Sequence, residues 1–221
     1  MTGFKSFFNS SVGCKMIMAV TGLMLVGFLI AHLSGNLLVF KGPHAINTYA
    51  KTLRDYIEVL WVLRIGLFFA AALHIYCAIR LTSLNRKTRK YQYKVKSYKR
   101  STYVARSMML SGLVLLSFAF YHLAHLTFRV THEEFANLGH YDVYAMLILS
   151  FKSPLITFFY CLSICLLMAH LVHGLQSFWR TLGLRHEKYN DFLNRGSVLL
   201  GVLLALGFLS IPASIFFGII Q

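Results

Sequence analysis

The sequence predicts an all-α integral membrane protein, a bundle of five transmembrane helices with a cytoplasmic N-terminus. The first observation is composition: 57% of the 221 residues are hydrophobic and only 13% are charged, whereas about a quarter of a soluble domain is charged. The second is that five apolar runs approach or exceed the about 20 residues that cross a bilayer. The third is that Lys and Arg alternate between rich and poor segments from one run to the next.

The five apolar runs cover residues 15–40, 58–84, 103–127, 154–179 and 197–220. The first is too long to be the core of a cleaved signal peptide, so we expect it to remain as a helix. Residues 44–56 have mixed polarity, which favours a short amphipathic helix on the outer surface. Without a phosphate-binding Gly-rich loop or a polar domain, the whole chain, 1–221, is interpreted as one membrane domain.

The net charge of +15 has two interpretations. A nucleic-acid-binding protein distributes Lys and Arg over a polar domain, whereas a membrane protein gathers them in cytoplasmic loops. Here they lie between apolar runs, most densely over residues 80–106, which favours a bilayer and no nucleic acid as partner. The basic segments are the N-terminal one, which carries Lys5, the loop between the second and third runs, and the loop between the fourth and fifth runs, which carries Arg185. The N-terminus is therefore predicted to be cytoplasmic and the C-terminus to lie on the far side.

Histidine is the most informative residue type in this chain. Six of the ten histidines lie inside the predicted spans: His32, His74, His122, His125, His170 and His173. Ionisable side chains are costly inside a membrane, so each is a candidate functional residue.

Four of these histidines sort into two layers by depth. His32 and His122 lie about 25 and 28 Å along their helices from the cytoplasmic side, and so in the outer half of the bilayer. His74 and His170 lie about 24 Å along helices that run the other way, and so in the inner half. Each layer takes one imidazole from each of two helices, as bis-histidine ligation of haem requires. The sequence therefore predicts two haem b groups, the outer iron held by His32 and His122 and the inner iron by His74 and His170.

Several alternatives remain open at this point. The histidines could form interhelical hydrogen bonds or the proton relay of a haem-free transporter, although inverted repeats with broken helices are not evident. His125 and His173 each follow a predicted ligand by three residues. Either could replace that ligand, bind a haem propionate or relay protons. Arg80, Arg106 and Arg180, at the cytoplasmic helix ends, could pair with propionates or simply snorkel to the interface.

Four segments carry a resemblance to a known family: FLIAHLSGN around His32, ALHIYCAIRLT around His74, FAFYHLAHLTFR around His122 and His125, and AHLVHGLQSFWRTLG around His170. The chain resembles the di-haem cytochrome b membrane anchor of bacterial succinate:quinone oxidoreductases, the succinate dehydrogenases and fumarate reductases with a single anchor polypeptide. The resemblance covers nearly the whole chain. Its individual motifs are short, but their order and spacing are specific.

The resemblance implies an electron-transfer role as one subunit of an enzyme. A flavoprotein subunit would act on the dicarboxylate, and an iron–sulfur subunit would exchange electrons with this anchor. The anchor would in turn exchange them with quinone, commonly menaquinone. The implied location is the bacterial cytoplasmic (inner) membrane, and pairing into a dimer of heterotrimers stays open. The family pairs the first with the third helix and the second with the fourth, and favours His122 and His170 over His125 and His173. The alternative is the anchor of another quinone-linked dehydrogenase, such as a hydrogenase.

The resemblance also directs attention to the outer ends of the first two helices for quinone chemistry. Glu58, at the outer start of the second helix, could supply protons to quinone. His44, Tyr49 and Arg54 are further candidates, although all four could be ordinary interface residues. The basic loop over residues 86–100 could dock the iron–sulfur subunit through its charge or act only as a topology signal.

Overall fold

The computed structural model describes residues 10–87, 103–139, 142–184 and 186–221, and of residues 103–105 it describes the backbone alone. These residues form helices joined by turns. Lys5, Arg185 and most of the predicted docking loop, residues 88–100, lie outside the described residues.

The α-helices of the described part are α1 Ser11–Asn36, α2 Pro43–Asp55, α3 Ile57–Lys87, α4 Tyr103–His122, α5 Val143–Phe151, α6 Pro154–Thr181 and α7 Glu187–Phe216. A 3-10 helix, Leu37–Lys41, continues α1. A π-helix, Leu123–Thr127, continues α4, and a second 3-10 helix, Glu133–Asn137, follows it.

Five of these helices are long and apolar enough to cross a membrane: α1, α3, α4, α6 and α7. Their outward faces carry large apolar side chains, such as Val62 and Phe68 on α3 and Leu110 on α4, each more than 60% exposed. Surfaces of this kind are stable against lipid and unfavourable against water. For the described residues, the prediction of an all-α fold with five helices long and apolar enough to cross a membrane is confirmed.

The helix that contains the fifth predicted span has bounds that differ from the expected 197–220. The helix begins at Glu187 rather than at 197 and ends at Phe216 rather than at 220. At its start the Nδ1 atom of His186 accepts the backbone N–H of Lys188 at 3.2 Å, an N-cap that lies in polar sequence. At its end Gly218 has φ of +69°, a left-handed conformation that glycine adopts without strain. Apolar composition therefore located the membrane-crossing part but not the helix ends.

The amphipathic helix predicted over residues 44–56 is present as α2. The sequence did not predict α5, because its nine residues are too few to cross a bilayer. The Oδ1 atom of Asp142 caps α5 by accepting the N–H of Ala145 at 3.0 Å. Asn47 of α2 joins the two short helices, since its amide donates to Asp142 and accepts the N–H of Tyr144, both at 3.0 Å.

The long helices are arranged around α1 and α6. Helix α3 packs on α1, α4 packs on α6, and α7 packs on both α6 and α1. Within the described ranges α3 and α4 make no extensive packing contact with each other. Helices α1 and α6 also contact each other, so α3 and α4 are linked through this central pair.

The bundle has two distinct ends. The end with α2 and α5, here called the α2 end, holds the largest buried cluster, formed by Val39, Ile46, Leu147, Ile148, Phe151, Tyr160, Ile211 and Ile215. The opposite end is named the Arg180 end, after the residue near the end of α6. Between the ends, α7 lies close to α1 and α6, because a Cβ at Gly207 would overlap Leu33 and one at Gly201 would overlap Val172. Such close approach at small residues is typical of membrane helices.

Candidate functional site

The first histidine pair lies towards the α2 end. The rings of His32 on α1 and His122 on α4 have centroids 5.9 Å apart and planes at 84°. Two imidazoles that share one metal ion, with bonds of about 2 Å each, have centroids roughly 6 Å apart. The spacing of this pair therefore matches that of two ligands to one metal.

Aromatic rings enclose the first pair. Phe28 stacks on His32 at 5.2 Å between centroids. Phe118 and Tyr160 approach His122 at 5.8 and 5.9 Å. The Nδ1 atom of His122 is buried without a hydrogen-bond partner, which is uncommon in native proteins. None of the described residues therefore holds this nitrogen by a hydrogen bond.

The second pair, His74 on α3 and His170 on α6, lies towards the Arg180 end. The Nδ1 atom of His74 lies 3.1 Å from the carbonyl oxygen of Met18 and 3.3 Å from Oγ1 of Thr21. A carbonyl can only accept, so Nδ1 carries the proton and Nε2 keeps its lone pair. This is the arrangement that orients a histidine for metal ligation through Nε2.

His170 is held in a parallel way. Its Nδ1 atom lies 3.1 Å from Oγ of Ser111 on α4. In each case a glycine follows the hydroxyl residue and lies against the same ring: a Cβ at Gly22 would be 3.2 Å from Cε1 of His74, and one at Gly112 would be 3.5 Å from Cε1 of His170. A hydroxyl–glycine dipeptide therefore positions a histidine of a neighbouring helix twice, from α1 to α3 and from α4 to α6.

The two pairs are well separated in depth. Thr21, which contacts His74, precedes His32 by eleven residues on α1, and Ser111, which contacts His170, precedes His122 by eleven residues on α4. At 1.5 Å per residue both intervals are about 16 Å. This interval agrees with the two depths expected from the sequence, and the pairing of His74 with His170 stays a prediction.

His125 belongs to neither pair. It is completely buried, and its Nδ1 atom lies 2.9 Å from the hydroxyl oxygen of Tyr160. Its ring stacks on Phe135 at 5.6 Å and lies 5.3 Å from the ring of His132. The ring of His32 contacts that of His122, whereas the ring of His125 contacts Tyr121, His132, Phe135 and Tyr160, so the structure favours His122 as the partner of His32.

His173 remains a second neighbour of the pair at the Arg180 end. It is half-buried and follows His170 by three residues on α6. The contact between Ser111 and His170 favours His170 as the residue aligned with His74.

The three arginines predicted to pair with propionates all lie towards the Arg180 end. Arg80 donates from Nη1 to the hydroxyl of Tyr76 at 3.3 Å and lines a groove of about 410 Å³ on α3. Arg106 and Arg180 are exposed. Their location agrees with the prediction, and their contact with a propionate stays a prediction.

The residues predicted for quinone chemistry lie at the α2 end without forming one site. His44 and Glu58 are exposed, and the ring of Tyr49 packs on Gly35, where a Cβ would be 2.5 Å from its Cε1 atom. Arg54 lies near Arg129. The pKa of Arg129 is lowered mainly by burial and secondarily by repulsion from the positive charge of Arg54.

Clusters of three or more His, Cys, Asp or Glu suited to binding a metal ion are absent from the described ranges. A haem iron takes only two axial ligands from the protein, so pairs of histidines are the relevant arrangement. The sequence reasoning missed Thr21, Ser111 and Tyr160. The repeated hydroxyl–glycine dipeptide, at the depth of His74 and His170, was the signal for the first two. Nothing in the sequence identified Tyr160, because its contact with His125 joins residues 35 positions apart.

In comparisons with protein-family models, with curated proteins and with solved structures, no match to the chain was found.

Proposed function

We propose that this chain is the membrane-anchoring di-haem cytochrome b subunit of a bacterial succinate:quinone oxidoreductase. It would pass electrons between an iron–sulfur partner subunit and membrane quinone. The proposal rests on one observation: the histidines occur as two pairs, His32 with His122 and His74 with His170. Four helices supply them, and the two pairs lie about 16 Å apart in depth.

The residues of both pairs fit an axially ligated haem. His74 and His170 have Nδ1 engaged by neighbouring groups, which leaves Nε2 for iron. The ring centroids of His32 and His122 are 5.9 Å apart, a distance suited to two ligands of one metal. A side chain at Gly27 or at Gly174 would meet nothing within 4 Å, so the backbone of α1 and α6 is accessible there to a flat group. Haem, when bound, supplies one-electron transfer. The chain holds and orients the ligands and surrounds them with apolar side chains.

The partners and the location follow from the same proposal. The basic residues at the Arg180 end support a cytoplasmic position of that end and of the N-terminus. A flavoprotein and an iron–sulfur subunit would then dock there, on the side of His74 and His170. A membrane quinone, here proposed to be menaquinone, would react at the α2 end, beside His32 and His122. The membrane would be the bacterial cytoplasmic membrane.

A pyridine haemochrome assay on the purified chain tests the haem proposal. We expect about two b-type haems per chain, as bis-histidine ligation in two layers requires. Single alanine substitutions at His32, His74, His122 or His170 are each expected to reduce this to about one. His186→Ala, at an exposed histidine outside both pairs, is the matched control and should keep two.

Different results would contradict different parts of the proposal. A haem-free preparation, made with ample haem supply, would exclude a cytochrome and direct attention to a transporter. Full haem content with a co-purifying hydrogenase, in place of a succinate-oxidising flavoprotein, would retain the cytochrome and reject the partner.

A further inference from the structure

One ring nitrogen of His125 has no hydrogen-bond partner among the described residues. Its side chain is completely buried, yet Nε2 has no hydrogen-bond partner. A buried polar atom without a hydrogen-bond partner is destabilising and requires an explanation in a native structure. The haem pairs do not explain it, because His125 belongs to neither.

The orientation of this imidazole is fixed by its neighbours. The ring planes of Phe135 and Tyr121 lie within 20° and 33° of its own, with centroids at 5.6 and 5.4 Å. Tyr160 engages Nδ1 from α6 at 2.9 Å. We assign the Tyr160 hydroxyl as the donor, because a phenolic O–H is a stronger donor than a neutral imidazole N–H. Nε2 then carries the proton and points it along the ring plane, away from the stacked rings.

His125 is also next to the pair at the α2 end. It follows His122 by three residues, or about 4.5 Å along the helix. It lies in a π-helical turn, a feature that is frequent at functional sites. A ligand that binds Nε2 would therefore be a neighbour of the His32–His122 pair. Because the site is covered, that ligand would displace part of the segment with His132 and Phe135.

We propose that Nε2 of His125 donates a hydrogen bond to a carbonyl oxygen of a quinone head group at the α2 end. A flat, uncharged ring with carbonyl acceptors could take the place of the displaced Phe135 ring beside Tyr121, and the bilayer supplies such molecules. This inference rests on the proposed function, which places quinone chemistry at this end. It assigns the contact to His125 rather than to the exposed His44 and Glu58.

The test uses the haem-loaded chain in lipid nanodiscs and 2-methyl-1,4-naphthoquinone as the probe. His125→Phe keeps a flat apolar ring and removes the donor, and roughly three- to tenfold weaker binding by calorimetry is expected, the range for one lost neutral hydrogen bond. His125→Gln keeps an N–H donor and should bind within about threefold of the parent chain, the lower limit of that range. His186→Phe, at an exposed histidine at the Arg180 end, is the control and should not change the affinity.

Infrared difference spectra detect the hydrogen bond to the quinone carbonyl directly, so they separate this role of His125 from a merely structural one. The carbonyl stretching band of the bound naphthoquinone should lie at lower frequency in the parent chain and in His125→Gln, and shift towards the value of the free probe in His125→Phe. An unchanged affinity and band in a His125→Phe chain that retains two haems would overturn the assignment while leaving the cytochrome proposal intact. No naphthoquinone binding by the parent chain would also overturn it. A chain without haem would reject the proposed function, whereas the infrared comparison would still report on His125.

Discussion

At the scale of single residues, the histidines differ in what the protein provides for them. His74 and His170 have Nδ1 held by groups of a neighbouring helix, whereas His122 has a buried Nδ1 without a partner. A hydrogen bond to the nitrogen opposite the metal raises the basicity of a ligand and fixes its orientation. The two predicted haem sites should therefore differ in affinity, with the firmer ring orientation at the Arg180 end.

Removal of the Ser111 hydroxyl tests how much the contacts at Nδ1 contribute to the site at the Arg180 end, and whether His170 depends on a single contact where His74 has two. Ser111 supplies the contact at Nδ1 of His170, whereas His74 keeps the Met18 carbonyl when Thr21 is changed. We expect Ser111→Ala to weaken binding of the haem at the Arg180 end by roughly 10–100-fold. Thr21→Val, the matched control, should have a much smaller effect. Titration of the haem-free chain with haem measures both, and equal effects of the two substitutions would contradict the asymmetry.

At the scale of the elements, small residues determine how closely the helices approach. Gly201 of α7 lies against Val172 of α6, and a Cβ there would overlap its Cγ2 atom. Gly66 of α3 has nothing within 4 Å of a Cβ position. Two glycines inside long helices therefore have opposite roles, one in packing and one on an open surface.

This contrast predicts opposite effects of the same substitution. Gly66→Ala should stabilise the chain by about 0.5–1 kcal/mol, because alanine is the better helix former. Gly201→Ala should destabilise it by about 1–3 kcal/mol, because β-branched Val172 has little freedom to move. Thermal unfolding in detergent micelles, followed by circular dichroism, gives the two shifts. Shifts in the same direction would show that α6 and α7 are not as closely packed as the structure indicates.

At the scale of the whole molecule, five spans place the two termini on opposite sides of a membrane. The basic residues near the Arg180 end predict that the N-terminus is cytoplasmic. A single cysteine added at the C-terminus, in a chain whose own cysteines are replaced, should react with a membrane-impermeant maleimide in intact cells. One added at the N-terminus should react only after lysis. The reverse pattern would invert the orientation, and reaction of both in intact cells would contradict an odd number of spans.

The sequence alone determined the fold class, the five spans and the histidines at two depths. It could do so because lipid imposes a length and a composition on every span, and because ionisable residues stand out in apolar helices. These are local properties of the chain, readable without knowledge of the packing.

Only the tertiary structure decided which histidines meet. It joined His32 to His122, bound His125 to Tyr160, and placed Thr21 and Ser111 against their histidines. It also showed α5, whose burial among α2, α6 and α7 has no signature in a nine-residue apolar run. Contacts between helices depend on the rotation and approach of each helix, which are set by packing against all of its neighbours. No single segment of the sequence contains that information.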